Sequence, residues 1–394
     1  MVEFPNWTWF EGEVLLRWRS IPMLQALLNR AARFTFVVLA LLSSGAVANA
    51  QVANDTPASG ASGSPAPSEG NAPVIGQRVN HTVIAPNGRS VYFETWSGRP
   101  GQPVYLTFNG LLYNQKHWDT FLNELNQTGA TIVRYAYSAD PESLLTPSRP
   151  NAKNFSVEGL TDEVEAVLGA LGLQKVTLLT LSFGSIGIEF AAKHPERVER
   201  LVMLSPMILP MDYYDLSGRA TRQWLESIRA IWGEKAYELQ WDLVMGPTVL
   251  TLVRTHIHGM EGYTPAGVPE EKVVSGAIEK IKATRHFDLR LYLKTALPRI
   301  DLILSEGEDN AMLRDQQDFW QKLNPSIKGN YVFIRGAGHA LVGDAPKASA
   351  KALQTLLEND GSADKPFVNL EIDKDGAIVK QAPAVKATSS SFSN

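Results

Sequence analysis

Between residues 104 and 207, short apolar runs alternate with stretches of helical period. VYLTFNG gives way to HWDTFLNELNQTG, TIVRYAYS to SVEGLTDEVEAVLGALG, and KVTLLTL to a helix-like stretch before RLVMLSPM. The helical stretch at 156–172 carries a start signal in Ser156 ahead of Glu158 and a stop signal in Gly172. Strands that alternate with helices over this length predict an α/β fold with a mostly parallel sheet covered by helices on both faces. Upstream, HTVIAP and RSVYFETW flank Asn87-Gly88, a hairpin signature. The alternation breaks at 209–297, which is nearly all helix-like and rich in aromatics, and resumes with IDLILSE, LRDQQDFWQKL, NYVFIRG and PKASAKALQTLLE. A helical insertion is therefore expected between two strands of the sheet. The tail 361–394 holds a possible two-stranded ribbon, FVNLEID-KDG-AIVK, whose acidic turn lacks the later ligands of a calcium loop.

Within this pattern one corner demands a reason. KVTLLTL ends at Ser182, and the small residues Gly184 and Ser185 follow before a helix that stops ahead of Pro195. A serine at a sharp strand-to-helix turn projects its hydroxyl above the strand ends. The N–H of the next residue, Phe183, then points toward an acyl oxygen bound there, and the helix aims its positive end at the same place. These are the mechanics of a G-x-S-x-G nucleophile elbow. Here the pattern reads Thr180-Leu181-Ser182-Phe183-Gly184, with threonine in place of the first glycine.

Composition narrows the function classes. Hydrophobic residues make up 44% and charged residues 20%, a globular balance. A formal charge of −4 offers no basic surface for nucleic acid. The absence of cysteine excludes a thiol nucleophile, thiolate metal sites, iron–sulfur clusters, disulfides and a lipidated N-terminal cysteine. No cofactor and no metal are expected; beside the acidic turn of the tail, the pair His256 and His258 in RTHIHGM has a metal-like spacing.

The N-terminal region reads as targeting. Residues 23–50 place Arg30 and Arg33 ahead of the apolar run Phe34–Leu42 and end in Ala48-Asn49-Ala50, the pattern of a signal peptide cleaved after Ala50. The apolar core is about nine residues, short of the ~20 a membrane-spanning helix requires. The expectation is an exported chain, periplasmic or secreted, with no stable membrane span after cleavage. Residues 1–22 read as an upstream extension ahead of a start at Met23, and 51–72 (QVANDTPASGASGSPAPSEGNA) as a flexible linker.

Residues 73–360 resemble the α/β-hydrolase fold superfamily, in the branch of esterases, lipases and proline-type peptidases with a helical lid. The stretches that carry the resemblance are FNGLLYNQKHW, LSFGS with FAAKHPERVERLVMLSP, LILSEGEDNAM and IRGAGHALVGDAPKASAKAL, in the superfamily's order. The resemblance implies Ser182 as nucleophile and His339, in GAGH after a predicted strand, as its base. It implies an acid after the next-to-last strand: Asp309 first, Glu308 as the first alternative, and Asp212, after the preceding strand, as the second. It implies the N–H groups of Leu111 and Phe183 as the oxyanion hole. Departures are Asn109 where His is usual, YAYSADPES where a D-x-R-G-x-G-x-S loop is common, and a spacing one residue short after Ser182, which leaves Ser185 as a fallback nucleophile. His81, His117, His194 and His286 carry no catalytic pattern.

The expected activity is hydrolysis of an ester or related acyl bond in a partly hydrophobic small molecule. Peptide and thioester substrates share the same triad, and a non-catalytic binding protein on the same fold is the reading from another class. Tyr213, Tyr214, Trp224, Trp232, Trp241 and Met245 of the insertion are candidate acyl-pocket residues, although a helical layer needs most such residues for its own packing. The sequence carries no signal of oligomeric state.

Overall fold

A computed structural model describes residues 76–210, 218–260 and 262–383. The segments read as upstream extension, signal peptide and linker lie outside the described residues, as do Asp212, Tyr213 and Tyr214. Among the described residues no helix is long and apolar enough to cross a membrane.

The strands are β1 (Arg78–Ile84), β2 (Ser90–Trp96), β3 (Val104–Phe108), β4 (Thr131–Tyr135), β5 (Val176–Leu181), β6 (Val198–Leu204), β7 (Arg299–Gly307), β8 (Lys328–Gly338), β9 (Val368–Asp373) and β10 (Ile378–Pro383). They form one sheet in the order β1-β2-β4-β3-β5-β6-β7-β8-β9-β10. From β4 to β9 every neighbouring pair is parallel; β1, β2 and β10 are antiparallel additions at the edges. β5 lies near the middle, and all six of its residues are buried. Its side chains divide between two apolar layers, Val176 and Leu178 on one face and Leu179 and Leu181 on the other, as period-two geometry requires of a strand covered on both sides.

Helices α1 (Asp119–Gln127), α2 (Leu160–Ala170) and α3 (Ile188–Lys193) connect the first parallel strands. The helix expected from Ser156 starts later, at Leu160, because the Ser156 hydroxyl accepts from the Gly159 N–H and shapes a turn ahead of it. The insertion comprises α4 (Gly218–Trp232), α5 (Glu234–Val244), α6 (Gly246–Gly259) and α7 (Glu270–Ala283). It has its own core, built from Leu225, Tyr237, Trp241, Val253 and Val273 among others, and that core also takes in Leu112 from the loop after β3. A buried ion pair from Lys280 on α7 to Asp140 ties it to the loop after β4. The insertion thus sits on loops at the carboxyl ends of the parallel strands.

α8 (Asn310–Lys322), the short α9 (Leu341–Asp344) and α10 (Pro346–Glu358) complete the helices. The expected tail ribbon does form, but not as an appendage. β9 pairs in parallel with β8, so the sheet continues past the boundary expected at residue 360.

Candidate active site

Ser182 sits at the corner expected of it. β5 ends at Leu181, and Ser182 opens a tight helical turn, Ser182–Gly187, that runs into α3. Its φ is +51°, the left-handed region that a residue with a Cβ enters at a cost of roughly 1–3 kcal/mol. Neighbouring structure holds it there. The Ser182 carbonyl accepts from the Met207 N–H at 3.0 Å, beyond the end of β6. Gly184 is required because a Cβ at that position would be driven into the Phe108 carbonyl of β3. The replacement of the first motif glycine is also explained. Thr180 is wholly buried on β5, and its hydroxyl reaches the Val202 carbonyl at 3.4 Å, so the side chain lies within the sheet layer and leaves the corner free. Ser185, the fallback nucleophile, is fully buried and donates to the Met207 carbonyl at 2.8 Å. It braces the corner.

The histidine and the acid arrive from two adjacent strands. β7 and β8 end side by side, with Gly307 opposite Gly338, so Glu308 and His339, each the next residue, become neighbours. Gly307 permits this approach: a Cβ on it would lie 2.7 Å from the Ala337 carbonyl oxygen. The His339 Nδ1 lies 2.8 Å from Glu308 Oε2 and the Nε2 lies 2.8 Å from Ser182 Oγ. A carboxylate only accepts, so Nδ1 carries the proton in the neutral ring and Nε2 is left to accept from the serine hydroxyl.

Of the carboxylates expected, the structure brings the first alternative, Glu308, to His339 and holds Asp309 elsewhere. Asp309 is the N-cap of α8, where its side chain accepts from the N–H groups of Ala311 and Met312. A short carboxylate one residue before a helix satisfies orphan amides there, and Asp309 is exposed while the Glu308 side chain keeps only 2% of its surface. Glu308 Oε2 also accepts from Gln316 Nε2 at 3.1 Å, and the same amide nitrogen donates to the Pro206 carbonyl. Gln316 holds the carboxylate in place, and its helical surroundings gave no sequence signal of this. The other alternative, Asp212, falls outside the described residues.

The two oxyanion candidates sit on linked elements. Phe183 is the second residue of the turn beginning at Ser182, where an N–H has no partner within the helix. Its ring is buried edge-on against Tyr137, with centroids 5.5 Å apart. Tyr137 donates its hydroxyl to the Asn109 carbonyl at 2.9 Å. Asn109 in turn donates to the Tyr113 carbonyl at 2.6 Å, and its Oδ1 accepts from Trp118 Nε1 and the Gly110 N–H. The residue standing where histidine is usual is thus the framework of the loop that carries Leu111. Tyr137 belongs to YAYSADPES, which looked in the sequence like the loss of a motif. Tyr113 closes the circuit by donating to the Ala340 carbonyl, next to His339, at 3.3 Å.

Of the pocket candidates in the insertion, Trp241 and Met245 are buried in its own core, and Trp224 and Trp232 are exposed over 43% and 72% of their surface. Their packing is structural or solvent-facing. His256 and His258 diverge, the first to the Leu112 carbonyl and the second to Glu270. Among the described residues no group of three or more His, Asp or Glu converges to hold a metal ion.

A scan against protein-family models finds no match, and no curated protein sequence matches the chain. Solved structures do match. A probable hydrolytic enzyme from Pseudomonas aeruginosa PAO1 aligns at 15% identity over 71% of this chain and 94% of that one, with a TM-score of 0.50. A carboxylesterase structure from the thaumarchaeon Nitrososphaera gargenis aligns at 16% identity over 70% and 97%, with a TM-score of 0.49. The enol-lactonase of Burkholderia xenovorans LB400 aligns at 16% identity over 70% and 99%, with a TM-score of 0.48.

Proposed function

The chain has the α/β-hydrolase fold, and on that fold we propose that Ser182, His339 and Glu308 form the catalytic triad of a serine hydrolase acting on an ester or related acyl bond. The observation that carries this reading is the unbroken chain of contacts from Ser182 Oγ through both ring nitrogens of His339 to a buried carboxylate, each step 2.8 Å.

In this mechanism Ser182 Oγ attacks the acyl carbon as its proton passes to His339 Nε2. Glu308 stabilises the imidazolium and keeps Nδ1 protonated. The tetrahedral oxyanion is received by the N–H groups of Phe183 and Leu111, a contribution of roughly 10²–10³ in rate per donor. The imidazolium then protonates the leaving alkoxide, and the acyl-enzyme is hydrolysed by water through the same steps in reverse. The helical insertion, seated on the loops after β3 and β4, acts as a lid over the strand ends. The exported location expected from residues 23–50 belongs to the same proposal; N-terminal sequencing of the mature protein beginning at Gln51 supports it, and a mature chain retaining Trp7 overturns it.

A fluorophosphonate probe tests the activity. Covalent modification mapping to Ser182 and lost in Ser182→Ala is the expected result. Correctly folded protein that takes no label favours a binding protein instead. A series of p-nitrophenyl esters of increasing acyl length then reports the substrate class.

A further inference from the structure

The loop after β3 has an unusual residue next to the proposed oxyanion donor. Leu112 adopts φ +54°, a left-handed conformation unfavourable for any residue with a Cβ. One side of this loop is anchored in the core by Asn109, Trp118 and Tyr137. The other side is held by the insertion. The Leu112 side chain is 3% exposed and packs in the insertion's apolar core. Its carbonyl lies 2.9 Å from His256 Nε2 on α6. A carbonyl only accepts, so this nitrogen carries the proton and donates.

Resting on the triad reading above, we propose that His256 is a positioning residue that clamps the Leu112 carbonyl and so holds the Leu111 N–H in the oxyanion hole. The side-chain contacts of Leu112 fix where the loop lies, while the hydrogen bond fixes which way its peptide faces. φ of Leu112 sets the direction from which Leu111 enters the turn. If Leu112 relaxes toward negative φ, the Leu111–Leu112 peptide turns, and the Leu111 N–H, one peptide unit further back, is displaced through the Leu111 backbone. The insertion is then a working part of the site: it completes the transition-state donors as well as covering the strand ends. A donor to the oxyanion acts in the transition state and contributes little to ground-state binding, so its misplacement lowers kcat and spares KM.

The test uses the full chain and a p-nitrophenyl ester, with fluorophosphonate labelling of Ser182 run alongside. His256→Ala lowers kcat by about tenfold or more, with KM changed by less than about twofold, and slows labelling in parallel. His256→Gln, which keeps an N–H donor, recovers most of that loss. His258→Ala, two residues on and paired with Glu270 instead, keeps the wild-type kcat. The inference is overturned if His256→Ala retains wild-type kcat, if the loss appears only in KM, if glutamine falls as far as alanine, or if His258→Ala falls equally. Wild-type protein that takes no label and cleaves no ester brings down the triad reading itself, a distinct outcome read before any variant is made.

Discussion

The two ends of β7 each carry a buried carboxylate, and they do different work. At the carboxyl end, Glu308 faces His339 and Gln316 beside the serine corner. Near the amino end, Asp301 is fully buried, accepts from the Asn330 backbone and side chain, and lies 3.3 Å from Arg200. Arg200 and Asn330 both go on to donate to the Leu356 carbonyl near the end of α10, and Asn330 accepts from the Val368 N–H where β9 begins. That cluster fastens the last helix and the added strand to the sheet. Burial and charge alone do not separate the two acids. What separates them is the partner: one meets a titratable ring aimed at a hydroxyl, the other meets groups that only hold the chain. In open α/β sheets the carboxyl ends of the strands face the ligand crevice, and the opposite end is free to serve stability.

The sharpest way to break this contrast is to remove the proposed nucleophile that gives one end its meaning. Ser182→Ala should lower kcat by about 10⁴–10⁶, measured on the best p-nitrophenyl ester, with the folded state retained. Next in size, Glu308→Gln should lower kcat by about 10³–10⁴ because a neutral amide cannot stabilise the imidazolium; a loss under tenfold would place the acid elsewhere. Its thermal stability should change little by comparison.

The other end predicts the reverse pattern. Burial pushes the Asp301 carboxyl up to about 6, against the opposing pull of Arg200. A pKa raised in the folded state stabilises the fold fully below the unfolded value and loses that contribution as pH rises through the folded one. Denaturant titrations from pH 4 to 7 should therefore show wild-type protein losing on the order of 2–3 kcal/mol relative to Asp301→Asn. An equal pH slope in both proteins removes the basis for this assignment, and kcat should be insensitive to the substitution throughout. The smallest effect belongs to the neighbour of Glu308. Asp309→Ala should cost about 1 kcal/mol of stability through the lost helix cap, with kcat within about twofold of wild type; a catalytic collapse there would return the acid to Asp309.

Much of the fold was legible in local sequence. The runs that became β3 to β8 were visible as apolar segments, and Asn87-Gly88 did form the hairpin turn, with φ +85° at the glycine. The corner was legible because its constraints are short-range: a strand, a serine, and a glycine where the next strand passes close. The tail was underestimated. Val368, Leu370 and Ile372 alternate like an independent ribbon's inner face, and nothing local says that β8 offers an open edge for them. The framework residues Asn109, Tyr137 and Gln316 were likewise invisible in their roles, since those roles rest on partners as far as 28 and 110 positions away in the chain.

By itself the sequence determined the order of strands and helices, the sharp turn at Ser182 and the place of His339 after a strand, because each follows from backbone preferences within a few residues. Only the tertiary structure decided between Glu308 and Asp309. Which of two successive side chains meets the imidazole depends on the register of β7 against β8, and a shift of one residue sends a side chain to the other face. That register is set by packing across the whole sheet, where no stretch of local sequence can record it.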